Sequence, residues 1–555
     1  MRTWITTENE IPFMSDGDCT EKIIELISNM SDGDELIFSK GTYYLKGRID
    51  IKGRKGLKFI GYGVTIITDF DPCHPNDCTN AFELIDCDDI DFLGFTFTTN
   101  NPTNIVGRII NKNKEEGFFD VALPEHSPLV GNEWIEGLDT FNEDYSHNFH
   151  IFWADYGKPH RWYKIDRNVV RFLVWPSRRE RLDMVSMGEL ICMRFSLYAP
   201  GTFSFIGCNR ILLEDITVES CPGESCVVHP RSSNFTFRRY NIKLARDSKQ
   251  GYACNTDGLH FTGITGKVIM EDCHFEYMGD DSLNMHCHCG NVYSFDGKNL
   301  KSGCLKRGYT YDDPPKESLS PRYAQKGDII YIYDPKTTKL KAQMTVDEYT
   351  QNNFVVSNVE GEIEQGDVVV NSALYPELHI INCSVSRSRA RGFLVKTNNV
   401  VIENCYFEKL SEAGVIASCG IGEWHEMGPV HNMVIKNCVF EDCGTTSFLG
   451  RADGIVVGGG PGSPRQFKLE DVGVFSNIKV IGNRFTNLKD PAIFAVGVDG
   501  LEIKDNYMFN CANTVYPDSH IRFSYNMVAH NCDNIVCENN ISVLNKNEFL
   551  NEKPE

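Results

Sequence analysis

A short sequence pattern repeats along the C-terminal half of the chain. Each copy alternates apolar and polar residues around a recurrent Asn or Cys, as in 401–407, which reads Val-Ile-Glu-Asn-Cys-Tyr-Phe. Cys405 follows Cys383 by 22 residues, and Asn506 follows Asn483 by 23. Alternation over so few residues, with many β-branched side chains, is typical of strands rather than helices. Further copies occupy 268–275, 379–383, 434–440, 480–485, 501–507 and 535–540.

The length of the repeat restricts the fold. A unit near 22 residues holds about three short strands with their turns. Because one such unit cannot bury its apolar face alone, successive units must stack into a solenoid. We therefore predict an all-β fold, a right-handed parallel β-helix. At the recurrent position, stacked Asn side chains can hydrogen-bond in a ladder, and stacked Cys side chains can form a small buried apolar column.

The N-terminal region predicts a cap for this solenoid. Residues 20–30 place Ile23, Ile24 and Ile27 on one face, which predicts an amphipathic helix. A helix at this point would cover the open end of the solenoid, where unpaired strand edges are a liability.

Two stretches, 102–193 and 290–371, interrupt the repeat. Both contain a phrase of glycine, an acidic residue and a short apolar run, at 188–193 in the first and at 327–332 and 366–370 in the second. We predict that each forms a small antiparallel β-barrel inserted in the solenoid. The expected organisation is 1–101 for N-terminal β-helix coils with the capping helix, 102–193 for the first barrel, 194–289 for the coils that carry the active site, 290–371 for the second barrel and 372–555 for the C-terminal coils.

Composition narrows the partners and the compartment. The chain has 55 Lys and Arg against 76 Asp and Glu, and its net charge of −21 makes nucleic acid and anionic membranes poor partners. No stretch reaches the apolar length of a membrane span, and the first residues lack the apolar core of a signal peptide. We therefore expect a cytoplasmic protein with reduced thiols, unless a leader precedes the sequence. The odd number of cysteines, 21, excludes complete pairing within one chain. A homodimer remains open as the oligomeric state.

Acidic residues recur one coil apart in the segment 254–286. Asp280 follows Asp257 by 23 residues, so we expect their carboxylates to stack on neighbouring coils about 5 Å apart. Counting from the cysteines of the repeat places Asp257, Asp280 and Glu412 in one column and Arg391 above Asp281. This register predicts an acidic cluster with an arginine beside it.

Such a cluster suits acid–base chemistry. Two carboxylates about 5 Å apart repel by about 3 kcal/mol at an effective dielectric of about 20, which is roughly two pKa units. One should keep its proton near neutral pH while another stays ionised. Glycoside hydrolysis needs this pairing, because an acid protonates the leaving oxygen and a base deprotonates water. Asx turns at coil corners also use Asp and Asn, but three acids in a one-coil register favour a catalytic site.

The strings around these acids resemble known enzymes. Asn255-Thr256-Asp257 and Gly279-Asp280-Asp281 are similar to phrases of polygalacturonase-type glycoside hydrolases. The longer strings 257–261, 266–267, 280–286, 389–392 and 424–430 resemble glycoside hydrolase family 110, the bacterial exo-acting α-1,3-galactosidases. That resemblance implies a β-helix with two inserted barrels, and inverting hydrolysis of a terminal α-linked galactose on an oligosaccharide or glycan without a metal. Gly279, where a bulkier residue is expected, and Cys287, where glycine is expected, depart from the family pattern.

We assign catalysis to Asp257, Asp280 and Asp281. Asp257 is our choice for the general acid, with Asp280 and Asp281 holding and deprotonating the water. The reverse assignment, in which one aspartate of the pair is the acid, also fits a polygalacturonase-like site. The residues expected to bind the substrate or line its pocket are His260, Asn284, His286, Arg391, Glu412, Trp424 and Glu426.

No cofactor and no metal are expected. The run His286-Cys287-His288-Cys289 suggests a metal site, but strand alternation would place its histidines and cysteines on opposite faces. Two alternatives to the galactosidase remain: another inverting β-helix glycosidase, such as a polygalacturonase-like enzyme, and a non-catalytic carbohydrate-binding β-helix.

Overall fold

A computed structural model gives the structure of the protein. It describes residues 1–7, 17–125, 129, 131–152, 162–305, 310–311, 315, 318–421, 424–445, 453–458, 474–514 and 523–552. These residues form a parallel β-helix with two antiparallel insertions and an N-terminal helix, so the predicted fold class is confirmed.

The N-terminal helix covers the first coil. It spans Thr20–Asn29 and buries Ile23, Leu26 and Ile27. Asp18 accepts hydrogen bonds through Oδ1 from the backbone N–H and the hydroxyl of Thr20, which satisfies one donor at the start of the helix. Two short 3-10 helices span Pro75–Asp77 and Pro176–Met184. No described helix has the length and the apolar run that a membrane crossing requires.

Within the described residues, the largest sheet of the solenoid has 23 strands, and successive coils pair in parallel. Its strands are Thr3–Ile5, Glu35–Ile37, Gly41–Leu45, Lys58–Thr68, Asp88–Thr99, Asn209–Glu214, Thr217–Val218, Ser233–Arg238, Asn241–Ile242, Thr265–Glu271, His274–Glu276, Glu377–Ile381, Ser384–Ser386, Val400–Glu403, Tyr406–Glu408, Val430–Lys436, Val439–Glu441, Phe475–Ile481, Arg484–Thr486, Val498–Lys504, Tyr507–Phe509, Asp533–Glu538 and Ile541–Val543.

A second parallel sheet forms the opposite wall, and the apolar core lies between the two. Its strands are Ile49–Lys52, Phe82–Ile85, Phe203–Ile206, Cys226–Val228, Leu259–Thr262, Leu283–His288, Phe393–Val395, Val415–Ala417, Ile455–Val457, Ile493–Val496, Met527–His530 and Phe549–Glu552, and Glu426–Met427 adds to it in the antiparallel direction.

The recurrent Asn or Cys of each repeat lies at one corner of the coil. Ser384 pairs with Tyr406, which places Cys383 beside Cys405 on the next coil, as predicted. Farther along, Asn506 accepts hydrogen bonds from Asn483 and donates one to Asn540 through Nδ2 at 2.9 Å. No disulfide joins any two of the 21 cysteines, all of which lie in the described residues.

The two insertions differ in closure. The described residues of the first insertion form an open, seven-stranded antiparallel sheet, because each of its two end strands pairs with a single neighbour. The described residues of the second insertion form a closed six-stranded barrel. The first sheet contains Asn104–Asn113, Phe118–Ala122, Gly137–Phe141, His147–Phe152, Trp162–Asp166, Val169–Leu173 and Leu190–Arg194. The barrel contains Gly290–Phe295, Asn299–Gly303, Ile329–Tyr333, Leu340–Thr350, Asn353–Gly361 and Val368–Asn371.

Candidate active site

The predicted aspartates lie in the turns that lead into the second parallel sheet. Leu259 pairs with Leu283 on the next coil, and Leu283 pairs with Phe393 on the coil after it. Because Asp257, Asp281 and Arg391 each precede these paired residues by two positions, the three form one column.

The backbone ties this column together. The N–H of Asp281 donates to Asp257 Oδ1 at 3.1 Å, and the N–H of Arg391 donates to Asp281 Oδ1 at 3.1 Å. The Arg391 guanidinium adds a contact from Nη2 to Asp281 Oδ2 at 2.7 Å. The expected position of Arg391 above Asp281 is therefore confirmed.

The expected stacking of Asp257 on Asp280 is wrong. The coil that joins Leu259 to Leu283 has 24 residues, one more than the count assumed. Asp257 therefore stacks on Asp281, and Asp280 lies in the neighbouring column. Glu412 shares that neighbouring column with Asp280, because each precedes its strand in the sheet by three positions.

Asp280 lies beside the other two aspartates and is held by Arg389. The Arg389 Nη1 atom is 3.0 Å from Asp280 Oδ2 and donates to the carbonyl of Gly279 at 3.2 Å. One carboxylate oxygen from each of Asp257, Asp280 and Asp281 lies within 4.8 Å of the other two. The three carboxyl groups can therefore act on one small region of space.

Burial changes the protonation of the two stacked aspartates. It raises the pKa of Asp257 to about 6, even though contact with His260 lowers it. Burial also raises the pKa of Asp281 above its ordinary value, against the opposing charge of Arg391. Since desolvation disfavours the charged carboxylate, at least one proton is retained in the cluster near neutral pH.

His260 makes an ion-pair contact with Asp257. Its Nδ1 atom lies 2.8 Å from Glu224 Oε1 and 3.1 Å from Asp257 Oδ2. Burial lowers the pKa of His260, but the two carboxylates outweigh burial and hold it well above its ordinary value. His260 is therefore an imidazolium near neutral pH, a charged neighbour of Asp257.

His286 continues this contact away from Asp257. Its Nε2 atom lies 2.9 Å from Nε2 of His260 and 3.7 Å from Glu426 Oε1. Burial holds the pKa of His286 well below its ordinary value. His286 is therefore neutral and accepts the His260 N–H at Nε2, which puts its own proton on Nδ1.

Glu426 is paired with a buried lysine. Lys396 Nζ lies 2.5 Å from Glu426 Oε2. Burial raises the pKa of Glu426, but the Lys396 ammonium and the more distant His260 imidazolium outweigh burial and hold it below its ordinary value. Glu426 is therefore an anion on the far side of His286 from His260.

The remaining predicted residues surround this group. Asn284 pairs with His260 on one side and Leu394 on the other. Glu412 Oε2 lies 3.7 Å from Arg391 Nη1. Trp424 is 58% exposed and precedes the short strand at Glu426 by two residues.

Three residues lie at the site although the sequence did not predict them there. Glu224 precedes Cys226 by two positions and so heads the column of Asp257, but 33 residues separate Glu224 from Asp257 and hide the register. Arg389 was part of the resembling string 389–392, yet it received no role. Lys396 follows the strand Phe393–Val395 directly, and nothing in the sequence distinguishes it from a surface lysine.

The carboxylates are close enough to share a cation. Glu224, Asp257 and His260 form one group with ligand atoms within 4.8 Å, and the three aspartates form another. In this structure Arg389, Arg391 and His260 already supply positive charge to these oxygens.

The run from His286 to Cys289 divides between two environments. Met285 and Cys289 lie in the solenoid core, and Cys287 lies in the core of the second insertion. The rings of His286 and His288 are 5.0 Å apart. The alternation expected for this strand therefore separates the thiols from the imidazoles.

This arrangement defines a right-handed parallel β-helix with a carboxylate-rich site on its turns. The family model described as "Right handed beta helix region" matches residues 349–477. One solved structure similar to this chain is the family 28 exopolygalacturonase of Yersinia enterocolitica, with a TM-score of 0.45, 10% identity and coverage of 96% of this chain and 78% of that one. That similarity is too remote to inform the activity.

Two curated relatives are named α-1,3-galactosidases. Alpha-1,3-galactosidase A of Bacteroides fragilis is 28% identical over 291 residues, which cover 50% of this chain and 46% of that protein. Alpha-1,3-galactosidase B of Bacteroides thetaiotaomicron is 26% identical over 481 residues, which cover 83% of this chain and 75% of that protein. The aligned part thus spans about half the length of the first relative and three quarters of the second. The resemblance to the family 110 galactosidases is confirmed.

The close approach of two coils explains why glycine occupies position 279. A Cβ atom there would lie 2.1 Å from the carbonyl oxygen of Asn255, so any side chain forces the two turns apart. We expect Gly279→Ala to reduce the free energy of unfolding by about 1–3 kcal/mol, the usual cost of overpacking. Chemical denaturation measures this change.

Gly17→Ala is the matched control, because a Cβ atom at Gly17 meets no atom of the described residues within 4 Å. It should leave the stability within about 0.5 kcal/mol of the original protein. An equal, small effect of both substitutions would contradict the close contact at Gly279.

Proposed function

We propose that this protein is an exo-acting glycoside hydrolase that releases a terminal α-1,3-linked galactose from an oligosaccharide with inversion of configuration. The observation that carries the proposal is the group of Asp257, Asp280 and Asp281, whose nearest oxygens lie within 4.8 Å on adjacent turns. Inverting hydrolysis of a glycosidic bond uses two carboxyl groups, one as the general acid and one as the general base. The names of the relatives support galactose and the α-1,3 linkage.

Buried polar atoms beside the aspartates support a sugar as the ligand. Asn284 Oδ1, His286 Nδ1 and Arg391 Nε are buried and form no hydrogen bond with any described residue. Leu283 and Met285 point into the core, so the intervening Asn284 and the following His286 share the outer face of their strand. Because leaving such groups unsatisfied is costly, we assign them to the hydroxyl groups of the galactose.

The other predicted binding residues receive more limited roles in this proposal. Trp424 is exposed and can stack on the apolar face of a sugar. Glu412 orients Arg391 or accepts from a hydroxyl. His260 and Glu426 are engaged in ion pairs, so we propose that they fix the charge and position of Asp257 and His286.

The acid and base roles can be assigned in two ways. The raised pKa of Asp257 supports this residue as the acid, with Asp280 and Asp281 holding the water. The shared column of Asp257 and Asp281 supports the reverse, in which these two hold the water and Asp280 donates the proton. In both assignments the charge of Arg391 opposes the rise in the pKa of Asp281, and its guanidinium orients the Asp281 carboxyl group.

The reaction is tested by incubating the protein with a panel of galactose-terminated oligosaccharides, aryl glycosides and oligogalacturonides. We expect galactose to be released from an α-1,3-linked terminus, with the β-anomer detected first by proton NMR. Detection of the α-anomer first would contradict inversion. Inversion requires that the acid and base carboxyl groups lie roughly 6.5–9.5 Å apart, so these two side chains must diverge. Release of galacturonic acid would favour the polygalacturonase-like alternative, and binding without release would favour a lectin.

Separate substitutions test the three aspartates. Asp257→Asn, Asp280→Asn and Asp281→Asn should each lower turnover by at least about a hundredfold, the usual contribution of a general acid or base. An aryl α-galactoside with a good leaving group needs no proton donor, so it should restore turnover only in the variant that lacks the acid. Rescue of Asp257→Asn supports our first assignment, and rescue of Asp280→Asn supports the reverse.

Asp453→Asn is the matched control for this series. Asp453 is buried and precedes Ile455 by two positions, so it lies in the same column two coils beyond Arg391. Its substitution should leave turnover unchanged. Near-normal activity of all three active-site variants would remove the site from catalysis.

The pH dependence of kcat tests the role of Asp257 independently. The pKa of Asp257 is raised to about 6, and a general acid works only while it holds its proton. We therefore expect kcat to fall as pH rises through about 6, and to lose tenfold per further pH unit. A kcat that instead rises through this pH range would show that Asp257 acts as the ionised base.

A further inference from the structure

The first insertion reaches the active site through one arginine. Arg194 ends the strand Leu190–Arg194 of the antiparallel sheet and is 1% exposed. Its Nη1 atom donates to the carbonyl of Asn255 at 2.8 Å and to that of Gly279 at 3.1 Å. These carbonyls belong to two successive coils, just before Asp257 and Asp280.

A second buried residue of the same sheet completes the contact. Asp139 is fully buried in Gly137–Phe141, and its Oδ2 lies 2.9 Å from Arg194 Nη2. Its Oδ1 lies 3.9 Å from Nε of Arg389, the residue that holds Asp280. Asp139 thus stands between the arginine from the insertion and the arginine from the solenoid.

The backbone is shaped to admit this arginine. A Cβ atom at Gly137 would lie 2.9 Å from Arg194 Nε, so only glycine leaves room for the guanidinium there. The insertion also holds the side chain of Asn255: Asn104 Nδ2 donates to its Oδ1 at 2.9 Å, and its Nδ2 donates to the carbonyl of Thr103 at 3.1 Å. Contacts from one side of the insertion therefore fix the turn before Asp257.

We propose that Arg194 and Asp139 are positioning residues that hold the turns of Asp257 and Asp280 in register. This inference deepens the proposed function and rests on it for its catalytic consequence. Neither residue is placed on the substrate. Their contacts set the relative height of two coils and the direction of Arg389, and an error of about 1 Å between reacting groups can lower turnover a hundredfold.

The test uses the full chain with Arg194→Lys and Asp139→Asn. A lysine keeps the positive charge, but its compact ammonium cannot reproduce the planar fork that serves both carbonyls and Asp139. We expect kcat to fall at least about tenfold while KM changes by less than about threefold, because the lost contacts orient the reacting groups rather than bind the sugar.

The matched control is another arginine–aspartate pair of the same sheet. Arg171 contacts Asp120 through Nε at 2.7 Å and through Nη2 at 2.9 Å, and Asp120 also accepts from Asn111 of the same sheet. Among the described residues, neither side chain forms a hydrogen bond or an ion pair with a coil of the solenoid. Arg171→Lys and Asp120→Asn should leave kcat within about twofold. An equal loss of kcat in both pairs would reduce the effect of Arg194 to general destabilisation of the sheet and overturn the proposal.

Hydrogen–deuterium exchange supplies a readout that needs no substrate. The N–H of Asp281 donates to Asp257 Oδ1, and the N–H of Gly258 donates to the carbonyl of Asp281 at 2.9 Å. In Arg194→Lys we expect peptides covering 254–260 and 278–284 to exchange at least about tenfold faster, and the Arg171→Lys variant should match the original protein there.

Failure of the positioning role and failure of the proposed hydrolase function give different results. Unchanged exchange in both segments overturns the positioning role, whatever the activity shows. Faster exchange with unchanged kcat on a hydrolysed galactoside also overturns it, because the register would then not matter for catalysis. Faster exchange in a protein that releases no galactose supports the positioning of the turns and overturns the proposed function alone.

Discussion

Parallel stacking of successive coils places residues at equivalent positions about 4.8 Å apart, and the rest of the structure depends on this spacing. At one corner the stacked residues are small thiols and amides. Asn506 accepts from Asn483 and donates to Asn540, so buried amide groups satisfy one another along the axis. The same spacing that forms this ladder brings charged residues into contact at another corner.

Stacked, buried acidic residues would strongly destabilise the fold if no other groups offset their negative charge. Glu224, Asp257 and Asp281 follow one another on three coils, and burying like charges at this distance is costly. The structure offsets that cost in two ways. Backbone N–H groups donate to the carboxylates of Asp257 and Asp281, and cationic His260 and Arg391 lie against the column. Burial nevertheless raises the pKa of Asp257 to about 6 and that of Asp281 above its ordinary value.

In a solenoid without insertions, each coil contacts only the neighbouring coils, and the outer wall is nearly flat. The insertions change this local geometry. The first brings a buried arginine and a buried aspartate to the turns of two coils, and the second follows directly from the strand Leu283–His288 that carries Asn284 and His286. The first insertion therefore contacts the turns that carry the aspartates, and the second begins at the opposite end of the strand that follows Asp281.

From the amino-acid sequence we could predict the repeat, and with it the β-helix, the capping helix, the stacked cysteines and the segment that carries the aspartates. These features are local: alternation and spacing report them directly. The coil between Leu259 and Leu283 is one residue longer than the predicted repeat, so Asp257 lies in the column of Asp281 and not in that of Asp280. The three-dimensional structure was needed to establish that register and to bring Glu224, Lys396, Asp139 and Arg194 to the site. Ion pairs between distant segments leave no periodic signal in the chain, because they depend on where separate coils and insertions meet in space.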